Sequence, residues 1–499
     1  MNHRSHVHLP ALFLIASVIL ACGQFAWKPT ATPEPTATET PPTLPVPADP
    51  DAGSAGLGDS LYPGFGNGGY QVEHYTLEIT VHDVSTSDMT ALTTIEAKAT
   101  QDLSQFNLDF IGFEITSITV DGEPAEYERS GQELTVAPSK PIASGQAFTI
   151  VIQYAGAPEP LYSQALPFQT GWVIIEGGSF VLSEPDGSAS FYPVNDHPLD
   201  KATYTIRVTV PEPFEAAANG VQTETIEGED STTFVFEMRD PMASYLTTIN
   251  IDEFEVETME SDGGIPIRNY YSSSLPAEIR TPFARQSEML DHFSGLFGPY
   301  PFEVYGALVM DTEFGAALEN QTLSIFGMDM VDLDDMEFTE LVVAHELAHQ
   351  WYGDSVSVAD WGDIWLNEGF ATYAEGMWLE HIYGRQGMDG FIESIYTEVA
   401  AAPDFYPPPG DPAANDLFNG GVYLRGGLTL HALRLEIGDA EFFALLRTYH
   451  DRFEGGNAST EDFIGLAEEF SGEQLDELFD AWLYQSQLPP IPELGLSAE

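Results

Sequence analysis

The chain has 499 residues, of which 43% are hydrophobic and 12% aromatic, enough apolar side chains for a packed core and two or three domains. Its 16 Lys and Arg residues face 79 Asp and Glu residues, which gives a formal net charge of -63 at pH 7. Because phosphate binding needs a cationic face, this balance argues against a nucleic-acid partner and indicates solubility in a salty environment or attraction of cationic substrates.

The first 22 residues have the features of an export signal. Arg4 precedes the apolar run "ALFLIASVILA", which is too short to span a bilayer but has the length of a signal-peptide core. Cys22, the only cysteine in the chain, follows this run, so an intramolecular disulfide is impossible. The stretch "ILAC" resembles a bacterial lipobox, in which the cysteine becomes the lipidated first residue. We therefore expect an exported protein held at the membrane by a lipid on Cys22; the alternative is a free secreted protein.

Three segments follow this signal. Residues 23–60 are rich in Pro and Thr, have nothing to bury and are predicted to form a tether. Residues 61–254 contain short alternating runs, such as "ATYTIRVTVP", between Gly, Pro and Asp turns, which predict a β-rich domain. Residues 255–499 show helical periodicity, for instance in "DIWLNEGFATYAEGMWLEHIYG". Strands followed by helices predict an α+β protein with two separate domains.

The stretch "LVVAHELAHQWYG", residues 341–353, carries two histidines four residues apart. On a helix, His345 and His349 lie on one face and can present ring nitrogens to one metal ion. Glu346 is displaced around the helix, where it can act on a metal-bound water as a general base. For this stretch alone the alternative is an ordinary amphipathic helix that contains two imidazoles, so a third ligand is needed to decide.

Glu368 supplies the third ligand of the predicted site. It follows His349 after eighteen intervening residues, enough for a turn and a second helix that returns beside the first. Two histidines and one carboxylate leave the fourth tetrahedral position of a zinc ion to water, as catalytic zinc requires. We predict one Zn²⁺ per chain, bound by His345, His349 and Glu368.

These motifs together resemble a known family. HExxH with this spacing to the glutamate, inside "HELAHQWYGD" and "WLNEGFATY", is similar to the zinc aminopeptidases of the gluzincin clan, the family of aminopeptidase N and the leukotriene-epoxide hydrolase. The resemblance implies a β-sandwich or saddle-like N-terminal domain, followed by a thermolysin-like, mainly α-helical catalytic domain.

The resemblance extends to a motif upstream of the histidines. "FGAALENQTL" is similar to the family's Gly-Ala-Met-Glu-Asn exopeptidase motif, with Ala316, Ala317, Leu318, Glu319 and Asn320 in register. Ala316 departs from the usual glycine and Leu318 from methionine. In the family this backbone pairs with the substrate like an added strand. The resemblance therefore implies substrate contacts at Ala316, Ala317 and Asn320, and an ion pair between Glu319 and the substrate's amino terminus.

Three further residues receive expected roles. "LSEPDGSASFYPVNDHPLDKATY" resembles the family's β-domain segment, which implies that Glu184 also binds the substrate's amine. "VYLRGGLTLHALRLEIGD" resembles the segment with the catalytic tyrosine, here Tyr423, which would donate its phenolic hydrogen to the oxyanion of the reaction. A seven-residue step from Glu368 puts Glu375 on the same helical face, where we expect it to accept a hydrogen bond from a ligand histidine.

The resulting prediction is an exported zinc aminopeptidase that removes N-terminal residues from peptides by attack of metal-activated water. Its expected partners are peptides with a free amino terminus. Many relatives add a large helical C-terminal domain; because the sequence ends at Glu499, we expect that domain to be missing and the cleft to be more open. The alternatives are an endopeptidase or an epoxide hydrolase that uses the same zinc, or a catalytically silent surface-binding module.

Overall fold

The computed structural model describes residues 51–498. The predicted signal sequence, the predicted lipidation site Cys22 and most of the predicted tether lie outside the described residues. The last part of that tether, residues 51–60, contacts folded protein: Gly53 N donates to Gln105 O at 2.9 Å and Ser60 N to the Asp360 carboxylate at 2.7 Å. Within residues 51–498, none of the helices combines the length and the apolar character needed to cross a membrane.

The N-terminal domain is built from strands in three sheets. In chain order these are β1 Tyr70–Asp83, β2 Asp88–Ala99, β3 Phe106–Asp109, β4 Glu114–Val120, β5 Glu123–Pro124, β6 Glu126–Ser130, β7 Glu133–Ala137, β8 Ala147–Gly156, β9 Leu161–Tyr162, β10 Gln169–Ile175, β11 Gly178–Leu182, β12 Ala202–Pro211, β13 Glu215–Ala218, β14 Val221–Glu227, β15 Ser231–Met242 and β16 Ile249–Asp252. The sheet orders are β14-β15-β12-β1-β2-β8-β4-β5, β13-β16-β11-β10-β9 and β3-β7-β6.

Alternating burial explains the largest sheet. In β12 every second side chain, from Ala202 to Val210, is buried, and the residues between are partly exposed. One face of the strand therefore packs on the core while the other faces solvent. Strand β1 pairs antiparallel with its sequence neighbour β2 and parallel with the distant β12. The alternation determines which face is buried, whereas the parallel pairing depends on the path of the chain between β2 and β12.

The C-terminal domain is mainly helical. Its helices are α1 Gln286–Phe297, α2 Met336–His349, α3 Trp365–Tyr383, α4 Arg385–Ala401, α5 Gly420–Ile437, α6 Asp439–Phe453, α7 Thr460–Ser471 and α8 Asp476–Phe479. Its strands are β17 Phe254–Glu260, β18 Pro266–Ser272, β19 Ala307–Val309, β20 Ala317–Leu318, β21 Ser324–Phe326, β22 Ser357–Val358 and β23 Asn457–Ala458. One sheet has the order β17-β18-β19-β21-β20, and β22 pairs with β23. The predicted fold class, a β-rich domain followed by a mainly helical domain, is confirmed.

One large hydrophobic core runs through both domains, and a smaller apolar cluster lies beside it. At their boundary the rings of Tyr245, from the N-terminal domain, and Trp361, from the C-terminal domain, are in edge contact with centroids 5.3 Å apart. Both side chains are fully buried. Because packed interiors resist small displacements, this shared core fixes the position of side chains that one domain presents to the other.

Candidate active site

Helix α2 carries both histidines and Glu346. Asp335 caps its first turn, since the Asp335 Oδ1 atom accepts a hydrogen bond from Phe338 N at 3.2 Å. Every residue from Leu341 to His349 is buried, so this half of the helix lies in the core and not on the surface. Buried polar side chains need polar partners, and residues on α3 supply some of them.

Helices α3 and α5 approach each other closely beside α2. A Cβ atom added to Gly369 would lie 2.8 Å from backbone atoms of Gly426, so neither position has room for a side chain. The close approach brings two functional side chains to α2. Glu368 precedes Gly369 and contacts both histidines, and Tyr423 lies one turn before Gly426 with its ring 6.0 Å from that of His345.

Three side chains converge in the way a metal site requires. His345 Nε2 lies 3.2 Å from Glu368 Oε2, and His349 Nε2 lies 3.5 Å from the same oxygen. Two atoms bonded to a tetrahedral zinc at about 2.1 Å would be about 3.4 Å apart. Within residues 51–498, this trio is the group of potential ligands found with all its ligand atoms within 4.8 Å of one another.

The other ring nitrogens of the histidines face separate acceptors. His345 Nδ1 lies 2.8 Å from Glu375 Oε1, and His349 Nδ1 lies 3.1 Å from Tyr352 O. Zinc binding requires neutral imidazoles with the proton on Nδ1, where these acceptors stabilise it, so that the lone pair of each Nε2 is free to bond to the metal. Two imidazoles and one carboxylate form a donor set typical of catalytic zinc. These residues therefore fit a zinc ion, which the sequence predicts.

Two buried glutamates at this site differ in charge state. In the metal-free site burial raises the pKa of Glu368, but the charge of protonated His349 and hydrogen bonds from both histidines outweigh burial and lower that pKa to about 2. Burial raises the pKa of Glu346 to about 8, although the charges of His345 and His349 act to lower it. Glu368 is therefore ionised at neutral pH, whereas Glu346 can accept and release a proton near neutral pH.

The zinc-ligand trio, His345, His349 and Glu368, lines one pocket together with four of the five predicted substrate-binding residues. Its walls are formed by Glu184, Ala316, Ala317, Glu319, Met330, Val342, His345, Glu346, His349, Glu368 and Tyr423. Glu184 comes from the N-terminal domain, two residues after the end of β11. Ala317 belongs to β20, and Glu319 follows it directly. Both domains therefore contribute carboxylates to the same cavity.

Glu184 and Glu319 are buried carboxyls whose ionised forms a cation would stabilise. Burial raises the pKa of both carboxyls, and the charge of Glu319 raises that of Glu184 further. Glu184 Oε1 is buried and has no hydrogen-bond donor. A cation between two such carboxylates favours their ionised forms, and a protonated amine is the cation that a peptide's first residue provides.

Asn320 is the predicted substrate-binding residue that the pocket walls do not include. Its Nδ2 atom donates to Leu246 O at 3.0 Å, a backbone carbonyl of the N-terminal domain. The structure therefore places the Asn320 side chain at the contact between the domains instead of beside the zinc-ligand trio.

Two pocket residues were not anticipated from the sequence. Val342 precedes His345 by three residues on α2, so the helical period would have placed it on the same face. Met330 ends a 3₁₀ turn, Met328–Met330, and no pattern in the sequence connects that turn with the histidine motif. Both side chains add apolar surface to a cavity that otherwise contains several carboxylates.

Comparisons with known proteins agree with this geometry. The peptidase family M1 domain matches residues 282–482, and the peptidase M1 N-terminal domain matches residues 71–246. The M1 zinc metallopeptidase from Deinococcus radiodurans is 35% identical with a TM-score of 0.79, and the match covers 88% of this chain and 99% of that chain. A mutant of the Deinococcus radiodurans M1 zinc metallopeptidase, bound to a Tyr-Ser-Ala substrate, gives a TM-score of 0.81 at 34% identity with the same coverage.

Similar curated proteins include aminopeptidase A of Gloydius brevicauda, 29% identical over 328 residues, and glutamyl aminopeptidase of Homo sapiens, 28% identical over 338 residues. These matches cover 62% and 63% of this chain but 34% of each relative, so the chain spans about a third of the length of the curated relatives it matches. Both domains of the family are present in order, and the solved Deinococcus radiodurans structures are matched over nearly their whole length. The chain belongs to peptidase family M1, whose solved zinc metallopeptidases it resembles in sequence and fold.

Proposed function

We propose that the protein is a zinc-dependent aminopeptidase that binds one zinc ion per chain and removes N-terminal residues from peptides. One observation carries the proposal. The pocket that contains the zinc-ligand trio His345, His349 and Glu368 is also lined by two further buried carboxylates, Glu184 and Glu319. A metal-binding group beside a receptor for a cation is the arrangement that an exopeptidase for free amino termini needs.

The chemistry is divided among the pocket residues. Zinc, when bound, polarises a carbonyl and lowers the pKa of water. Glu346 takes the proton of the attacking water and passes it to the leaving amine, a task suited to a carboxyl whose pKa is about 8 and worth about 10² to 10⁴ in rate. Tyr423, on the pocket wall, donates its phenolic hydrogen to the oxyanion that forms.

The amine-binding carboxylates decide where the peptide is cut. Glu184 and Glu319 pair with the protonated amino terminus, so the first peptide bond is the one that reaches Glu346. Ala316 and Ala317 line the same pocket, and β20 ends at Leu318 at the edge of its sheet, where an extended substrate can add as a further strand. The Deinococcus radiodurans enzyme bound to Tyr-Ser-Ala supports peptides as the substrate class.

We also propose, from the sequence alone, that the protein is exported and attached to the membrane through a lipid on Cys22. The apolar run before Cys22 and the Pro/Thr-rich segment after it support this localisation. More than one acyl chain would be needed for stable attachment. Metabolic labelling with a fatty acid tests the proposal, because Cys22→Ser should abolish incorporation of label into an otherwise intact protein.

A paired-substrate assay tests the enzymatic proposal. Amino-acid amides and short peptides with a free amine should be hydrolysed from the N-terminus, and the same compounds with an acetylated amine should resist. A zinc chelator should remove the activity and added zinc should restore it. Cleavage of acetylated peptides at internal bonds would indicate an endopeptidase instead. Absence of any chelator-sensitive turnover, in protein that binds zinc, would indicate a silent binding module.

A further inference from the structure

The turn after β20 holds Glu319 between the two domains. Residues 319–323 reverse the chain direction through a hydrogen bond from Leu323 N to Asn320 O at 2.8 Å. Thr322 adopts a φ of 70°, which non-glycine residues reach only when the surroundings impose it. The turn is buried throughout, so its shape depends on the groups that bond to it from outside.

The N-terminal domain supplies three of these bonds. Asn219 Nδ2 donates to Gln321 O at 2.8 Å, Gly220 N donates to Thr322 Oγ1 at 2.8 Å, and the carbonyl of Leu246 accepts from Asn320 Nδ2 at 3.0 Å. These contacts join two parts of the N-terminal domain, residues 219–220 and Leu246, to the three consecutive residues after Glu319. They fix the turn relative to the domain that carries Glu184.

Asn219 is the central member of this contact. It is completely buried directly after β13. Its Nδ2 also donates to Leu246 O at 2.9 Å, and its Oδ1 accepts from Thr248 N at 2.6 Å. Both donors of the amide are therefore used, and its orientation is determined by three bonds. No smaller residue supplies the same three contacts.

The residue that follows helix α2 bonds to the opposite side of the turn. Gln350 follows His349 directly, its Nε2 donates to Glu319 O at 2.8 Å, and its Oε1 accepts from Thr322 N at 2.8 Å. The turn is thus bonded on one face to the helix with the zinc-ligand histidines and on the other to the N-terminal domain. Since Glu319 and Glu184 belong to different domains, their separation depends on these contacts.

We propose that Asn219 is a positioning residue for amine recognition: it fixes the turn that carries Glu319, so that Glu319 and Glu184 meet one protonated amine together. The inference rests on the proposed function, because it assigns Asn219 a role in that binding step. Asn219 touches neither substrate nor metal and acts through Gln321 and the backbone of Glu319. Loss of its amide should weaken substrate binding while the hydrolytic groups stay in place.

The test compares Asn219→Ala with Asn250→Ala as the matched control. Asn250 is equally buried on the neighbouring strand β16, but its Nδ2 bonds to Thr248 Oγ1 and Ala217 O within the N-terminal domain. For zinc-loaded, folded protein, Asn219→Ala should raise KM for amino-acid amides about tenfold with kcat changed less than about threefold. Asn250→Ala should change neither. Equal KM values for the two variants would overturn the proposal.

A second readout separates this proposal from the function on which it rests. Hydrogen exchange of the peptide that covers residues 316–326 needs no catalysis, and Asn219→Ala should accelerate it relative to both wild type and Asn250→Ala. If wild type shows no peptidase activity, the proposed function fails, while the exchange rates still decide whether Asn219 holds the turn. Unchanged exchange in Asn219→Ala would refute the positioning role even in an active enzyme.

A milder variant covers the case in which Asn219→Ala does not fold. Thr322→Val keeps the β-branched shape but removes the hydroxyl that accepts from Gly220 N, and it leaves Asn219 untouched. We expect KM to rise in the same direction, about threefold, with faster exchange over residues 316–326. A Thr322→Val protein with wild-type KM and wild-type exchange would contradict the proposal.

Discussion

Carboxylates of the same type perform different tasks at this site because their neighbours differ. Glu368 faces two imidazoles and has a pKa of about 2, whereas burial gives Glu346 a pKa of about 8. Glu375 accepts from a ring nitrogen of His345 at 2.8 Å and so fixes the orientation of that ring. The environment of each carboxyl, more than its identity, decides whether it can bind a metal, transfer a proton or orient a ligand.

The role of Glu346 as the general base can be tested by a substitution that keeps its size. Glu346→Gln keeps the size and burial of the side chain but cannot accept a proton, so kcat for an amino-acid amide should fall by about 10² to 10⁴. Zinc content, measured by metal analysis, should stay at the wild-type level. Glu337→Gln is the control, since Glu337 lies on the same helix and bonds to the exposed Tyr383 at its surface. A Glu346→Gln enzyme with wild-type turnover would refute the role.

Individual site residues differ in how far the sequence could predict them. The four-residue and seven-residue steps that relate His345 to His349 and Glu368 to Glu375 are properties of a single helix, so local spacing was enough. Asn219 and Met330 reach the site region only through the path of the chain in three dimensions. No local pattern distinguishes Asn219 from other asparagines in β turns, and its bond to Gln321 joins residues about a hundred positions apart in the chain.

At the scale of elements, the contact between α3 and α5 sets the geometry of the site. Gly369 and Gly426 let the two backbones approach closely. Glu368 lies next to Gly369 on α3, and Tyr423 lies one turn before Gly426 on α5. A glycine pair inside two helices costs conformational entropy on folding. Here the close approach brings Glu368 within 3.5 Å of both histidine Nε2 atoms.

Gly369→Ala should therefore be strongly unfavourable. Its Cβ would lie 2.8 Å from backbone of Gly426 that cannot move aside, so α3 and α5 must separate. We expect the free energy of unfolding to fall by about 1–3 kcal/mol, measured by urea denaturation, together with weaker zinc retention. Gly390→Ala is the control, because a Cβ at Gly390 on α4 meets open space and should raise stability by about 0.4–1 kcal/mol. Equal stability of the two variants would contradict this account.

Elements could be predicted from the sequence where their pattern is local. The alternation in "ATYTIRVTVP" indicated β12, and the helical period around the histidines indicated α2, whose start at Met336 follows from the cap at Asp335. The order of strands in the sheets was not predictable from one sequence. Strand β12 pairs in parallel with β1, and this register depends on packing between segments far apart in the chain.

At the scale of the whole molecule, charge is the dominant feature. The formal net charge is -63. Most acidic side chains of the described residues are at least partly exposed, and the buried ones lie around the site and inside the N-terminal domain. Repulsion among surface carboxylates opposes the compact state. Salt shortens the range of this repulsion, because the Debye length falls from about 10 Å at 0.1 M to about 3 Å at 1 M.

Thermal stability should consequently rise with salt. Between 0.1 M and 1 M NaCl we expect the Tm to increase by at least about 3 °C, followed by circular dichroism. Sucrose at matched osmolality is the control for solvent exclusion, and it should give a smaller increase. A Tm that stays constant or falls as NaCl increases would show that surface repulsion does not limit the stability of this protein.

The segment before β1 contacts both domains, and its residue Asp59 bonds to each of them. Asp59 Oδ2 accepts from Trp361 N at 2.8 Å in the C-terminal domain and lies 3.3 Å from His197 Nε2 in the N-terminal domain. Tension applied to the chain ahead of Asp51 therefore acts on both halves of the molecule at once. A force on an attachment at that end would be shared by the two domains. Removal of residues 51–60 would therefore delete hydrogen bonds that join the domains, as well as the connection to the preceding segment.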